Sequence, residues 1–552
     1  MYEQMKRLSL AEQVEVLTRK LISIPSINHT EGEVVLADAV KEILLSFPYF
    51  QRHPEHVWEQ PIPGDGLSRK NIFAFVQGKK QSAKTVIFHA HLDTVGIDDF
   101  GAIKHHAFQP DALQTYFSTY EFDKEVQKDA QSDEWLFGRG SVDMQSGIAV
   151  HLANVLYFSE RIDELNGNIL FMVNPDEESQ HIGIKAAVSE LLHLREEKGL
   201  DFIVAINDDF ISPLYDGDNT RYIYTGAAGK LLPSFFIFGR EAHVGDTLTG
   251  VDPNVIAAEI TRRIHNNVDL CEDIENEIVL PPTCLFQRDN KFSYNVQTAT
   301  SSYVYFNYFL YKRSAKEVME QLLTLTKAAC RDIQIRSQKQ YEQFLQRTNL
   351  KRKELSWDIE VVALDEYVER LSSLNIDVES VSKAVAKQYK DVDLRILSFK
   401  IVEVLNELDP IKKPRVIVFF APPYLPHNYL RPHVPRERIM LQVVEQVLKQ
   451  MEQRTGERFE MKRFFPYLAD GSYLSIHESD EEIAYLLNNF PMLGDYYSLP
   501  VQKIRELNVP SINMGVYGKD GHKWTERVYK PYSFGVLPAL IQQVTETLLT
   551  IE

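Results

Sequence analysis

Five residues of metal-ligand type stand just past apolar runs of this chain: His91, Asp143, Glu178, one of Asp208 and Asp209, and His522. His91 closes the run Thr85-Val86-Ile87-Phe88 in TVIFHAHLDTVG. Asp93 follows it by two, so in an extended segment both point to one face. The carboxylate can then hold the imidazole in one tautomer while the other ring nitrogen meets a metal. Asp143 lies in GRGSVDMQSG, a glycine-rich turn opening a helix near Ser146. Asp176, Glu177 and Glu178 run consecutively after a strand at Asn168–Val173. Their mutual repulsion costs stability unless a cation sits among them. A strand at Phe202–Ile206 is soon followed by Asp208 and Asp209, and His522 lies beyond a strand at Ser511–Val516. Two imidazoles and three carboxylates suit two zinc-like ions, each with one His, one private carboxylate and one shared carboxylate. Ions about 3.5–4 Å apart polarise a water and a substrate carbonyl together. Glu177, beside a ligand but poorly placed to share its ion, is the candidate general base.

The elements that must position these groups read as an open α/β sheet, which collects ligands beyond the carboxyl ends of its strands. Ser9 with Glu12, and Thr30 with Glu33, have the spacing of capping boxes for two amphipathic helices. Asn71–Gln77 and Thr85–Phe88 read as neighbouring strands. The polar stretch 97–134, with His105 and His106, reads as a solvated loop. After Thr225–Gly229 the character changes. A strand, the loop GREAHVG, a helix, an aromatic strand at Ser302–Tyr311 and a long helix capped by Ser314 and Glu317 suggest a smaller α+β domain inserted in the larger one. Residues 338–408 are charged and helical in pattern, with Lys351-Arg352-Lys353 on a solvated helix face. From Arg431 the character of the first domain returns.

Composition narrows the function. Lys+Arg 60 against Asp+Glu 78 gives a net charge of −18, and with no basic stripe nucleic acid is not an expected partner. Three cysteines, Cys271, Cys284 and Cys330, in no CxxC spacing, read as reduced thiols. No apolar run reaches the length of a membrane span. The expectation is a soluble, cytoplasmic protein that does not enter membranes.

HLDTV at 91–95, GRGSVDM at 138–144, DEE at 176–178, GREAHVG at 239–245 and GHKWTE at 521–526 resemble, in order, the motifs of the M20 family of metallo-aminoacylases and carboxypeptidases. The length and enlarged middle resemble the family's arginine-utilisation branch. The resemblance implies a zinc-peptidase, phosphorylase/hydrolase-like three-layer α/β sandwich from residues 1–217 and 431–552. Residues 218–430 would form an inserted α+β lid, enlarged by helices at about 338–409. It implies His91, Asp143 and Asp208 on one ion, Asp143 bridging, and Glu178 and His522 completing the second. Asp93 would orient His91, Glu177 would activate water, and His243 in the lid would stabilise the oxyanion. Glu526 matches the acid four residues after the last His.

The segment INDDF departs from the family's single acid followed by Pro, and strand register favours Asp208 over Asp209. Asn307 stands near the place of a carboxylate-gripping Arg. His89 reads as a buried neighbour of the site. The implied reaction is hydrolysis of an amide-type C–N bond in an amino-acid derivative or small peptide, in amino-acid (arginine) catabolism, with two zinc ions. Alternatives are dimetal hydrolysis of a guanidino or amidine compound, and a non-catalytic metal-binding protein that keeps the fold. A homodimer through the lid is expected, its edge supplied by Tyr303–Phe309. The alternative is a monomer whose added helices cover that edge.

Overall fold

Runs of Val, Ile and Phe with little polar interruption form the middle strands of a large mixed sheet, as expected where both faces are covered. The computed structural model describes residues 1–80, 82–274, 277–348, 350–467, 469–491, 493 and 496–551. The chain forms two units, one of Met1–Ala228, Asn428–Ile476 and Pro500–Glu552, the other of Gly229–His427 and His477–Leu499.

The first unit is a three-layer α/β sandwich. The strands of its large sheet, numbered along the chain, are β1 (Val57–Pro61), β2 (Lys70–Gln77), β3 (Lys84–His91), β4 (Asn168–Asn174), β5 (Asp201–Asn207), β6 (Thr220–Tyr224), β7 (Arg458–Lys462) and β8 (Ser511–Asn513). Their order across the sheet is β1-β2-β4-β3-β5-β8-β6-β7. β3 runs parallel to both β4 and β5, and β8 parallel to β5, so their carboxyl ends share one edge. β2 and β3 are not neighbours as expected, because β4 lies between them, antiparallel to β2. Helix Gln145–Ser159, buried along nearly its whole length, packs on β3 and against helix Leu10–Ile22. Ser9 and Glu12 cap the latter as a capping box. Thr30 and Glu33 do not form one. Helix Gly32–Leu45 has no side-chain cap, and Glu33 turns inward to Arg69.

Two further readings are corrected here. The stretch 97–134 is not a solvated loop but 3₁₀ turns over Asp98–His106 and helices Pro110–Ser118 and Lys124–Ala130. Phe117 anchors them on Phe137 and Trp524, at 5.1 and 5.2 Å between ring centroids. The boundary expected at 217/218 falls instead at 228/229, since β6 pairs in parallel with β7 inside the large sheet.

The second unit carries a sheet in the order Thr283–Asp289, Ser301–Leu310, Gly229–Phe238, Arg415–Leu425, Glu360–Ala363. Residues 477–499 join it, although the sequence placed them in the larger domain: Phe420 N–H donates to the Asn489 carbonyl (2.9 Å) and Tyr424 N–H to the Tyr497 hydroxyl (2.9 Å). Helices Leu364–Ser373, Val378–Gln388 and Leu394–Leu408 bury Tyr367, Leu397, Phe399 and Leu405 with Phe236, Tyr303, Ile417 and Phe419. The added helices thus cover a sheet face. Tyr303–Phe309 is an inner strand, and the edge is Thr283–Asp289. Lys351–Lys353 are exposed but lie outside any helix. Among the described residues no helix is long and apolar enough to cross a membrane.

Candidate metal centre

His91 is the last residue of β3, 3% exposed, with Nδ1 3.0 Å from the Asp93 carbonyl and 3.7 Å from Asp93 Oδ1. Its Nε2 therefore faces the other way, 3.0 Å from Asp143 Oδ1, yet neither of these two atoms has a hydrogen-bond partner. Buried polar atoms left without a hydrogen bond suit a site that accepts a cation.

Asp93 also organises the acid run that follows β4. Its Oδ1 accepts the Glu177 N–H (2.9 Å) and its Oδ2 the Glu178 N–H (3.0 Å), with Asn28 Nδ2 on Oδ2 at 2.5 Å. Burial works against its charge, but His91 and those two N–H groups outweigh it and hold the carboxyl below its ordinary range.

His522, at a left-handed φ of +66°, sets Nε2 2.8 Å from Asp143 Oδ2 and 2.9 Å from Glu178 Oε1. Burial would lower its pKa, but Asp143 and Glu178 push it up to about 12. Two triplets result, His91–Asp143–Asp209 and Asp143–Glu178–His522, with the donor atoms of each within 4.8 Å of one another. Asp143 belongs to both.

Past the end of β5, the geometry brings Asp209 rather than the expected Asp208 to the candidate cluster. One residue along an extended chain reverses the side chain. Asp208 points toward helix Gln145–Ser159, with Oδ1 3.4 Å from His151 Nε2 and 2.7 Å from where a Cβ on Gly147 would stand. Asp209 is brought to His91 and Asp143 instead. Gly515 permits this, since any Cβ there would lie 1.7 Å from the Asp209 carbonyl oxygen.

Glu177 is 5% exposed, and its Oε1 has no hydrogen-bond partner. Burial raises its pKa well above the usual range, and Glu178, Asp470 and Asp209 add to the effect while His91 opposes it. Glu526 is buried and accepts the N–H groups of Val142 (3.0 Å) and Asp143 (3.3 Å) and a bond from Arg139 (2.6 Å), so it braces the turn that presents Asp143. His89 is fully buried with both ring nitrogens unpartnered, and burial holds it down near about 3. His105 and His106 lie outside the cluster, in the Asp98–His106 turns. His243 and Asn307 belong to the second unit. His243 is exposed and its Nδ1 accepts the Gly245 N–H (3.1 Å), while Asn307 is half-buried opposite Thr283.

Sequence reasoning missed a buried frame around the acid run. Arg69 Nη1 donates to Glu33 (3.1 Å) and Asp176 (2.9 Å), and Glu33 accepts the Asp176 N–H (3.0 Å). Asp176, at φ +70°, also takes the N–H groups of Gln180 and Ile182, which closes the loop that carries Glu177 and Glu178. His181 Nδ1 meets Asp470 Oδ1 at 2.9 Å, and Asp470 Oδ2 is left without a hydrogen bond beneath the site. These partners are far apart in the chain, and no local pattern announces them.

The chain matches the profile of peptidase family M20/M25/M40 over residues 87–476. It is 57% identical over 548 residues to Protein RocB of Bacillus subtilis (strain 168), spanning 99% of this chain and 97% of that one. It is 34% identical over 545 residues, 98% and 96% of the two chains, to the uncharacterized protein YqjN of the same organism. Among solved structures, a tripeptidase from Staphylococcus aureus superposes with a TM-score of 0.51 at 14% identity, covering 98% and 99% of the two chains. Bacillus subtilis YxeP, described as a dinuclear metal binding peptidase, superposes with a TM-score of 0.50 at 12% identity, covering 98% and 99%. Those two likenesses concern the fold alone. With a profile spanning most of the chain and a full-length relative at 57% identity, the protein belongs to peptidase family M20/M25/M40, in its RocB-type branch, and is a metal-dependent hydrolase.

Proposed function

We propose that His91, Asp143 and Asp209 hold one divalent ion, that Asp143, Glu178 and His522 hold a second, and that both are zinc. The reading cleaves an amide-type C–N bond in an amino-acid derivative or small peptide. The observation that carries it is the pair of ligand triplets sharing Asp143. Imidazole and carboxylate donors without thiolates suit zinc in an open catalytic site, and the unpartnered Asp143 Oδ1, Glu178 Oε1 and His91 Nε2 suit acceptance of a cation.

When bound, such ions supply Lewis acidity toward water and a substrate carbonyl. The chain's own part is proton movement and orientation. Asp93 holds the His91 ring so that Nε2 faces the site. Glu177, unbound to either triplet, takes a proton from water at its unpartnered Oε1 and passes it to the leaving amine. His243 accepts Gly245 N–H at Nδ1, so in its neutral form Nε2 carries the proton, ready to donate to an oxyanion. His243 belongs to the other unit.

The test is metal analysis of the purified protein together with turnover of a panel of acyl-amino acids and dipeptides. Two equivalents of zinc and hydrolysis of members of the panel are expected. No uptake of metal on titration overturns the reading.

A further inference from the structure

The run Asp176-Glu177-Glu178 carries a candidate base and a candidate ligand, and a buried arginine from another element stands behind it. The sheet brings the two together. β2 runs antiparallel to β4 with Ile72 opposite Val173. The same register, carried on, sets Arg69, just before β2, opposite Asp176, shortly after β4. Arg69 is 5% exposed, and its fork is held on both sides. Nε and Nη2 donate to Asp65 Oδ1 (3.2 and 2.9 Å), and Nη1 donates to Glu33 Oε1 (3.1 Å) and Asp176 Oδ1 (2.9 Å). Glu33 in turn accepts the Asp176 N–H (3.0 Å).

Two buried carboxylates side by side repel unless a cation lies between them, and Arg69 is that cation for Glu33 and Asp176. With Oδ1 taken by Arg69, Asp176 turns Oδ2 to the Gln180 and Ile182 N–H groups, which holds the loop at its left-handed φ of +70°. The next two residues, Glu177 and Glu178, are fixed from the other side, where Asp93 accepts their N–H groups. The loop thus has two anchors with different reach. Asp93 also orients His91, so it bears on both triplets. Among the described residues Arg69 bonds to no candidate ligand, and the loop it braces supplies one, Glu178, to the triplet Asp143–Glu178–His522 alone.

We propose that Arg69 is a positioning residue for that second site: by fixing Asp176 it sets where Glu178 stands, and so governs the affinity of one metal site and not the other, an inference that rests on the two-ion reading above. Groups that orient a ligand from behind change metal affinity by about 10–100-fold.

The experiment is calorimetric titration of the chelator-treated full chain with zinc ions, with circular dichroism on the same samples to follow folding. The unaltered chain should take up two equivalents. Arg69→Met should weaken one of them by about tenfold or more and leave the other unchanged. Glu178→Gln should lose the same equivalent. Adding Arg69→Met to Glu178→Gln should then change the remaining equivalent by less than about twofold, because both substitutions act on one site. If Arg69→Met does not fold, Asp176→Asn decides. Asn tolerates the left-handed backbone, but its one amide oxygen cannot serve both Arg69 and the loop N–H groups, so the same equivalent should weaken. Equal weakening of both equivalents, unchanged affinity at both, or a further loss at the remaining site of the double variant overturns the role of Arg69 and leaves the two-ion reading standing. An unaltered chain that takes up no zinc overturns that reading, and the inference with it.

Discussion

Asp208 and Asp209 show how much rests on single side chains. Both are fully buried acids past the end of β5, and burial raises both pKa values well above the usual range, reinforced by Asp209 for the first and by Asp143 for the second. Their surroundings differ. Asp208 meets His151 and the helix beneath, while Asp209 meets His91 and Asp143. Asp209→Ala should lose one equivalent of metal and nearly all turnover, whereas Asp208→Asn should keep both equivalents. Equal metal loss in the two variants would contradict the assignment. Glu177 has a different signature, because it moves protons and does not ligate. Glu177→Gln should lower kcat by about 10²–10⁴-fold with metal content unchanged. A fully active Glu177→Gln enzyme would mean that another group is the base.

At the scale of elements, buried ion pairs tie distant segments together. Glu478, at the start of the segment 477–499, lies 3.2 Å from His427 Nδ1 and accepts the Tyr424 hydroxyl at 2.6 Å. Burial opposes its charge, but His427 and Tyr424 outweigh it and hold the carboxyl at about 2, against an ordinary 4.5. A depressed carboxyl contributes stability that is fully present above pH 4.5 and lost as pH falls through about 2. His427 is raised above its ordinary 6.5, with burial opposing and Glu478 outweighing it, so its share is present below 6.5 and lost as pH rises through the higher folded value. The pair therefore stabilises the second unit most between pH 4.5 and 6.5. Glu478→Gln should cost about 3–5 kcal/mol there by leaving His427 buried without its acid. Thermal unfolding followed across pH 2–7 checks this, with the loss expected to shrink toward pH 2. A constant difference in Tm would refute it.

For the whole molecule, the question is the oligomeric state, on which the proposed role of His243 bears. The Thr283–Asp289 edge pairs on one side with Ser301–Leu310, and among the described residues no strand pairs with its outer side. Such an edge is a template for pairing with another chain. The added helices lie over a sheet face and the strand Glu360–Ala363 occupies the opposite edge, so neither removes this option. We expect a homodimer through this edge. Mixing a Glu177→Ala chain with a His243→Ala chain, each inactive alone, should then restore up to about a quarter to a half of wild-type activity. A solution mass of one chain without restored activity would leave closure within a single chain as the route.

What the sequence determined by itself was the kind of chemistry and the strand ends that carry it. Those signals are local: an apolar run, then a His or an acid, at spacings that survive any arrangement of the rest. His91, Asp93, Asp143, Glu178 and His522 were legible for that reason, as were the caps Ser9–Glu12 and Ser314–Glu317. Tertiary structure decided what local spacing leaves open. Asp209, not Asp208, comes to His91 and Asp143 because side-chain direction reverses with each residue, and spacing in the sequence does not say which one faces the cluster. β4 separated β2 from β3 because pairing depends on which apolar faces meet, not on nearness in sequence. The helices within 97–134 escaped notice because each is only two or three turns long, too short for a period to show, and their anchor, Trp524, lies about 400 residues further on. The same holds for Arg69, Glu33 and Asp176 beneath the acid run and for His181 with Asp470: ion pairs cost little sequence pattern, and they form only where folding brings both partners out of water together.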